Sequence, residues 1–181
     1  MTYVLMELVS MKNWNEEFTP SYTPLEMLEM GVFMDCHYNV AIEDLPNSWY
    51  SHSNVTPRNV KPDATKNYYG VKSRQSLKTW QENGWTTDLS PLGWWEWYVK
   101  YFYGRRDDKE DKLQISRWKS FVARHNAQVQ SKCKKGDKSC NTKQRQGLLQ
   151  WAWDSDTKFT QTQRNKNLER MLKVNVRSLK W

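Results

Sequence analysis

Apolar residues recur along this chain in short runs separated by breaks rich in Gly, Pro, Asn and Ser, and helical spacing governs the longer runs. The densest run is Gly93-Trp94-Trp95-Glu96-Trp97-Tyr98-Val99-Lys100-Tyr101-Phe102-Tyr103-Gly104. Trp94, Trp97, Tyr98 and Tyr101 fall at i, i+3, i+4 and i+7 on one face, and Trp95, Val99 and Phe102 make a second. Glu96 and Lys100, four apart, are the polar interruptions and should line one wet stripe. Ser90 has the side chain of an N-cap, Pro91 suits the first helical position, and Gly104 suits the left-handed residue that ends a helix. The pattern predicts one helix between these signals. Because it is apolar almost all round, it should be buried and should organise the rest.

The same reading runs along the chain. Thr23-Pro24-Leu25-Glu26 is a capping box that opens a short helix over 25–30, stopped by Gly31. Val4 and Val9 bound an apolar run that reads equally as a strand or a packed arm. Residues 35–72 read as a long ordered loop, broken by Pro46, Pro57 and Pro62 and pinned by Trp49, Tyr50, Tyr68 and Tyr69. Such a loop is either a binding element or simple packing. Ser76 and Gly84 bound a helix containing Leu77 and Trp80. A long helix is predicted over 108–131, with acids in its first turn and an apolar stripe of Ile115, Trp118, Val122, His125 and Val129. Arg117, Arg124 and Gln128 share an adjacent stripe. Asn141 and Thr142 cap a helix over 143–153, and Leu168, Met171, Leu172, Val176 and Leu179 predict a last amphipathic helix from about Gln163. The expected fold is mainly α: a single compact helical domain around an aromatic-rich central helix, with a long ordered loop region and the N-terminal strand as an option. Its core should span 1–154, with 155–181 a basic amphipathic helix or tail.

Composition narrows the class. Hydrophobic residues make up 38% of the chain, yet it holds 11 Trp, so the core should be built from a few very large side chains rather than left disordered. Net charge is +8, and it is concentrated: fourteen Lys and Arg against five Asp and Glu between Lys100 and Arg145, which is +9 in that segment. A local excess of this kind favours a polyanion, with DNA ahead of RNA. Arg105, Arg106, Arg117, Arg124, Lys134, Lys135, Lys138, Lys143 and Arg145 are the candidate phosphate contacts, and Gln144, Gln146 and Arg145 have the chemistry for base edges. Eight of the Trp fall between Trp80 and Trp153; most must be core, and Trp85 with Trp151 or Trp153 are the candidates for stacking on unpaired bases. A solvated helix face is the plainer account of the charge.

The chain has no apolar run long enough to span a membrane and no basic leader at Met1, so no membrane partner is expected. Three Cys suit a reducing, cytoplasmic setting and free thiols. Cys133, Cys140, His125 and Cys36 could make a tetrahedral zinc set, although the spacing matches no recognised knuckle; a Cys133–Cys140 disulfide is the rival, and otherwise no cofactor is expected. No Walker A loop, dinucleotide fingerprint or H-E-x-x-H motif is present. The candidate catalytic groups are Asp107, Asp108, His125 and Arg145, with an Asp as general base; helix capping and surface charge are the plainer roles.

Several of these runs together resemble a family of uncharacterised Trp-rich proteins of tailed phages, cyanophages among them, of large DNA viruses and of some fungi and algae. The likeness rests on Gly93-Trp94-Trp95-Glu96-Trp97-Tyr98, Gly104-Arg105-Arg106, Gln114-Ile115 with Arg117-Trp118-Lys119, Arg124-His125, and Gln144-Arg145-Gln146-Gly147-Leu148-Leu149-Gln150-Trp151. It covers roughly 20–154. Members carry Gly-Gly where this chain has Met34-Asp35. The resemblance implies a viral context and no activity. Three functions therefore stand: a viral nucleic-acid-binding protein, a small glycosylase-like or base-modifying enzyme with its catalytic groups in one pocket, and a virion or host-takeover protein that binds an acidic partner.

Overall fold

A computed structural model describes residues 13–35, 62–72 and 75–174. The apolar run at Val4 to Val9, the aromatics Trp49 and Tyr50, Cys36, and the end of the last amphipathic stripe at Val176 and Leu179 lie outside the described residues. Among the described residues the chain forms α1 (Pro24–Glu29), a 3-10 turn (Ala64–Lys66), α2 (Leu77–Glu82), α3 (Trp94–Phe102), α4 (Asp108–Lys132), α5 (Thr142–Gln150) and α6 (Gln161–Lys173), with no strand. The mainly α architecture is the one the periodicity predicts. No helix of the described residues is long and apolar enough to cross a membrane.

The helices begin where their caps lie. Thr23 accepts from the Glu26 amide while the Glu26 carboxylate accepts from the Thr23 amide, which completes the capping box of α1. Ser76 Oγ accepts from the Thr79 amide ahead of α2, Asp107 accepts from the Glu110 amide ahead of α4, and Thr160 accepts from the Gln163 amide ahead of α6. Each satisfies one of the orphan donors of a first turn.

The central helix departs from its expected start. α3 opens at Trp94, and Ser90-Pro91-Leu92-Gly93 forms the turn before it, with the Gly93 amide donating to the Ser90 carbonyl. Gly93 takes φ +96° and ψ −161°, a conformation open essentially to glycine. Glu96 is correspondingly buried at 5% exposure rather than wet. Its carboxylate turns back to accept from the Leu92 amide at 2.8 Å and from Lys100 Nζ at 2.7 Å. Glu96 thus satisfies a backbone donor ahead of the helix, the work expected of Ser90.

α3 packs against α1 and α4, and α4 runs along α5. Phe18, which the periodicity does not single out, is fully buried within this aromatic core. Its ring meets Trp97, Tyr98, Tyr101 and Trp118 edge-on, with centroids 5.1–5.6 Å away. Such edge-to-face pairs add roughly 0.5–1.5 kcal/mol each beyond area burial. Three of the big side chains have their polar ends tied off: Trp97 Nε1 donates to Asp111, Trp118 Nε1 to the Trp151 carbonyl, and Tyr98 to the Tyr22 carbonyl. α6 docks on the N-terminal segment: Met171 is buried, Asn167 donates to the Thr19 carbonyl, and Arg170 pairs with Glu26.

Candidate functional site

The basic segment divides into cations that build the fold and cations that face water. Arg145 belongs to the first kind, at 2% exposure. Its guanidinium donates to the Cys140 and Asp137 carbonyls, to Ser155 Oγ, and to Asp156 at 2.7 Å. Gln146 is fully buried, its amide accepting from the Tyr69 amide and donating to the Val32 carbonyl. Both are enclosed, and both hold α5 to neighbouring backbone. Through Gln146 the Tyr69 end of the long loop is fastened to the body. Gln144 is half-buried. Arg105 pairs with Glu110 at 3.0 Å, and Arg106 lies over the Tyr101 ring and donates to the Asn13 carbonyl.

Arg124, Lys132, Lys134, Lys135 and Lys143 are exposed, and their side chains have no hydrogen-bond or ion-pair partner among the described residues. Lys138 reaches Asp156 only at 3.8 Å. Of the acids of the same segment, Glu110 and Asp111 are buried and Asp107 is half-buried, while Asp108 and Asp137 are exposed. Asp111 takes the Trp97 indole, Asp107 caps α4, and Asp137 accepts from Ser139. Burial works against the charge of Glu110, but hydrogen bonds led by Thr87, together with Arg105, outweigh it and hold the carboxyl below its usual range.

The candidate catalytic groups do not meet. Asp108 and His125 are seventeen residues apart on one helix, hence about 26 Å at 1.5 Å per residue. Asp107 is a cap and Arg145 is enclosed. His125 lies half-buried against Phe121, with centroids 4.2 Å apart, and its Nδ1 is buried without a partner. Burial, and then the neighbouring Arg124, hold its imidazole below the ordinary histidine value. Of the zinc set, Cys36 lies outside the described residues. Cys133 and Cys140 are joined in a disulfide, in place of the free thiols expected of a reducing compartment. Among the described residues no group of three or more His, Cys, Asp and Glu is placed to hold a metal ion.

What the fold does gather is a cleft of about 550 Å³ along one face of α4, within the roughly 300–1,000 Å³ of small-molecule sites. Leu113, Gln114, Arg117, Ser120, Phe121 and Arg124 supply its α4 side. They recur at i, i+3, i+4 and i+7, so one helical face carries them all. Trp80 and Trp85 come from α2 and its terminal turn, Trp94 and Trp95 from α3, and Trp151 from the end of α5. Trp94, Trp151 and Phe121 stack in succession, with centroids 4.8 and 4.7 Å apart. Trp85 is 48% exposed at the rim. Arg117 fixes that rim by donating to the Gly84 and Trp85 carbonyls at 3.0 Å. No carboxylate lines the cleft among the described residues.

Of the tryptophans expected to stack on a ligand, Trp85 and Trp151 line this cleft and Trp153 is fully buried. Arg117, Arg124 and Trp151 are the candidate contacts that the cleft brings together. The sequence reading missed Leu113, Ser116 and Ser120. An exposed leucine beside two small polar residues at helical spacing is the signal that marks them. A shallower depression of about 430 Å³ lies on α6 beside Lys166, Glu169, Arg170 and Lys173. No family model, curated protein or solved structure matches the chain.

Proposed function

We propose that this protein binds nucleic acid through the water-facing cations of α4 and of the basic turn that follows it, with DNA as the first choice of partner in the viral context that its resemblance implies. The observation that carries this reading is the division of charge. Three of the segment's five acids are taken up by a cap and buried pairs (Asp107, Glu110 and Asp111), Asp108 and Asp137 stay exposed, and Arg124, Lys134 and Lys135 keep their charge for solvent, so the exposed charge remains in cationic excess. Cations left unneutralised bind phosphates and release counterions. The cleft that Arg117 and Arg124 line, with no acid among its described lining residues, is of the same sign. Arg105, Arg106, Arg145 and Gln146 are left out of the footprint because they hold the fold.

Fluorescence anisotropy with labelled single-stranded DNA, duplex DNA and RNA across a salt series tests the proposal. Three to five phosphate contacts give a log–log salt slope between about −2 and −5. Reversing Arg124, Lys134 and Lys135 to Glu should weaken binding sharply and leave the melting temperature nearly unchanged, since exposed positions carry little stability. Arg117→Glu is a poor probe, because it also releases the Trp85 turn. Binding no tighter than millimolar at low salt, or a triple variant that binds like its parent, overturns the proposal; capture of an acidic protein instead would favour the host-takeover reading.

A further inference from the structure

We propose, resting on the nucleic-acid reading above, that the α4 cleft takes a single unstacked base of a single strand, with Arg117 and Arg124 on its flanking phosphates. Three observations converge. First, the walls are aromatic: Trp80, Trp85, Trp94, Trp95 and Trp151 come from three separate parts of the chain to one space. Trp94 and Trp95 are buried and Trp151 is stacked on both faces, so these rings shape and stiffen the cleft while Trp85 offers the planar surface that any base can use. Second, Trp85 leaves nearly half its surface in water. Its turn is anchored by both Arg117 contacts rather than left loose, so the ring is held at the mouth of the cleft.

Third, the cleft is electrostatically one-sided. Arg117 spends two of its five donors on the Gly84 and Trp85 carbonyls. The side chain of Arg124, seven residues further on, has no hydrogen-bond or ion-pair partner among the described residues. The two emerge on one side of α4, about 10.5 Å apart along its axis, and their long side chains can reach phosphates on either side of one base. No acid opposes them among the lining residues described. Buried in the same wall, Trp94 Nε1 and Gln114 Oε1 lack a hydrogen-bond partner, one a donor and one an acceptor. Ser116 and Ser120 add hydroxyls on the open side. An apolar peptide would leave both arginines unanswered, and a paired base cannot present its face to the walls. The occupant with a flat ring and an adjacent anion is the unpaired nucleotide.

The test separates this inference from the reading under it. The full chain is titrated with a single-stranded DNA hexamer and with a fully abasic hexamer carrying the same phosphates. Stacking should make the base-bearing strand about five- to 150-fold tighter, the effect of one stacked base. Trp85→Ala should bring the base-bearing strand down to the abasic level and leave the abasic strand's affinity and salt slope alone. Trp85→Phe should restore most of the difference. Ser120→Trp, which fills the cleft from an exposed position, should abolish it independently. If the two strands bind equally, the inference is wrong and the phosphate reading stands. If neither strand binds, the phosphate reading fails. A saturation-transfer NMR titration with adenosine monophosphate then decides the cleft: transfer to the base protons that Trp85→Ala removes keeps the site, and its absence at millimolar nucleotide ends it.

Discussion

Arg145 shows what a residue's type does not reveal. In the sequence it is one base among fourteen, flanked by two glutamines that suggest groove readout. In the fold, the basic turn bends back so that the Asp137 and Cys140 carbonyls meet its guanidinium, and Asp156 arrives from beyond α5. Those partners lie in irregular segments with no period, which is why the burial was not legible. Arg145→Ala should cost about 3–5 kcal/mol in urea unfolding, the range for breaking a buried ion pair. Gln146→Ala should cost roughly 1–3 kcal/mol through the Tyr69 amide and Val32 carbonyl it leaves unpaired. His125 was placed correctly at the apolar stripe, but its role reads in its titration. The folded imidazole is held below its ordinary value by burial and Arg124, whereas the unfolded one titrates near pH 6.5. The unfolded chain therefore binds more protons as pH falls through that value, and stability should drop from pH 7.5 to 5.5. His125→Gln should remove part of that drop in thermal melts at the two pH values. A variant whose pH dependence matches the parent's would show that His125 is not its source.

At the scale of elements, the sequence told the most where local chemistry decides. The capping box of α1, the Ser76 cap and the acid-rich start of α4 appear where the residues place them. The start of α3 did not, because Glu96 reaches back to the Leu92 amide and Gly93 makes the turn. An ideal Cβ on Gly93 would lie 3.0 Å from the Trp80 ring. Gly93→Ala should cost on the order of 1–3 kcal/mol for the backbone alone and should push Trp80 out of the cleft wall. A loss below about 0.5 kcal/mol would mean the turn adapts. The basic turn is closed by the Cys133–Cys140 bond, seven residues apart. Loop-closure entropy gives such a bond roughly 2–3 kcal/mol. Unfolding with and without reductant should show that difference, and the double Ser variant should show it without reductant.

Across the whole molecule, the helical class and the aromatic core were legible because periodicity and large side chains declare themselves locally. The cleft was not, since its walls come from segments as far apart as Phe33 and Trp151. The division of charge was hidden for the same reason: net charge counts Arg145 and Lys134 alike. Only the fold shows that one is enclosed and the other is free. That division predicts that stability and polyanion binding are carried by different cations. Lys134→Ala and Lys135→Ala should each flatten the salt slope by about 0.7–0.9, one phosphate's share, and change unfolding free energy by less than about 0.5 kcal/mol. Arg145→Ala should do the reverse: a much lower melting temperature, with the slope of the protein that remains folded unchanged. Both series can be measured on the same samples, anisotropy for the slope and circular dichroism for the melt. If Arg145→Ala flattens the slope while still folded, or the two lysine variants melt well below the parent, the partition is wrong and the basic segment works as one undivided surface.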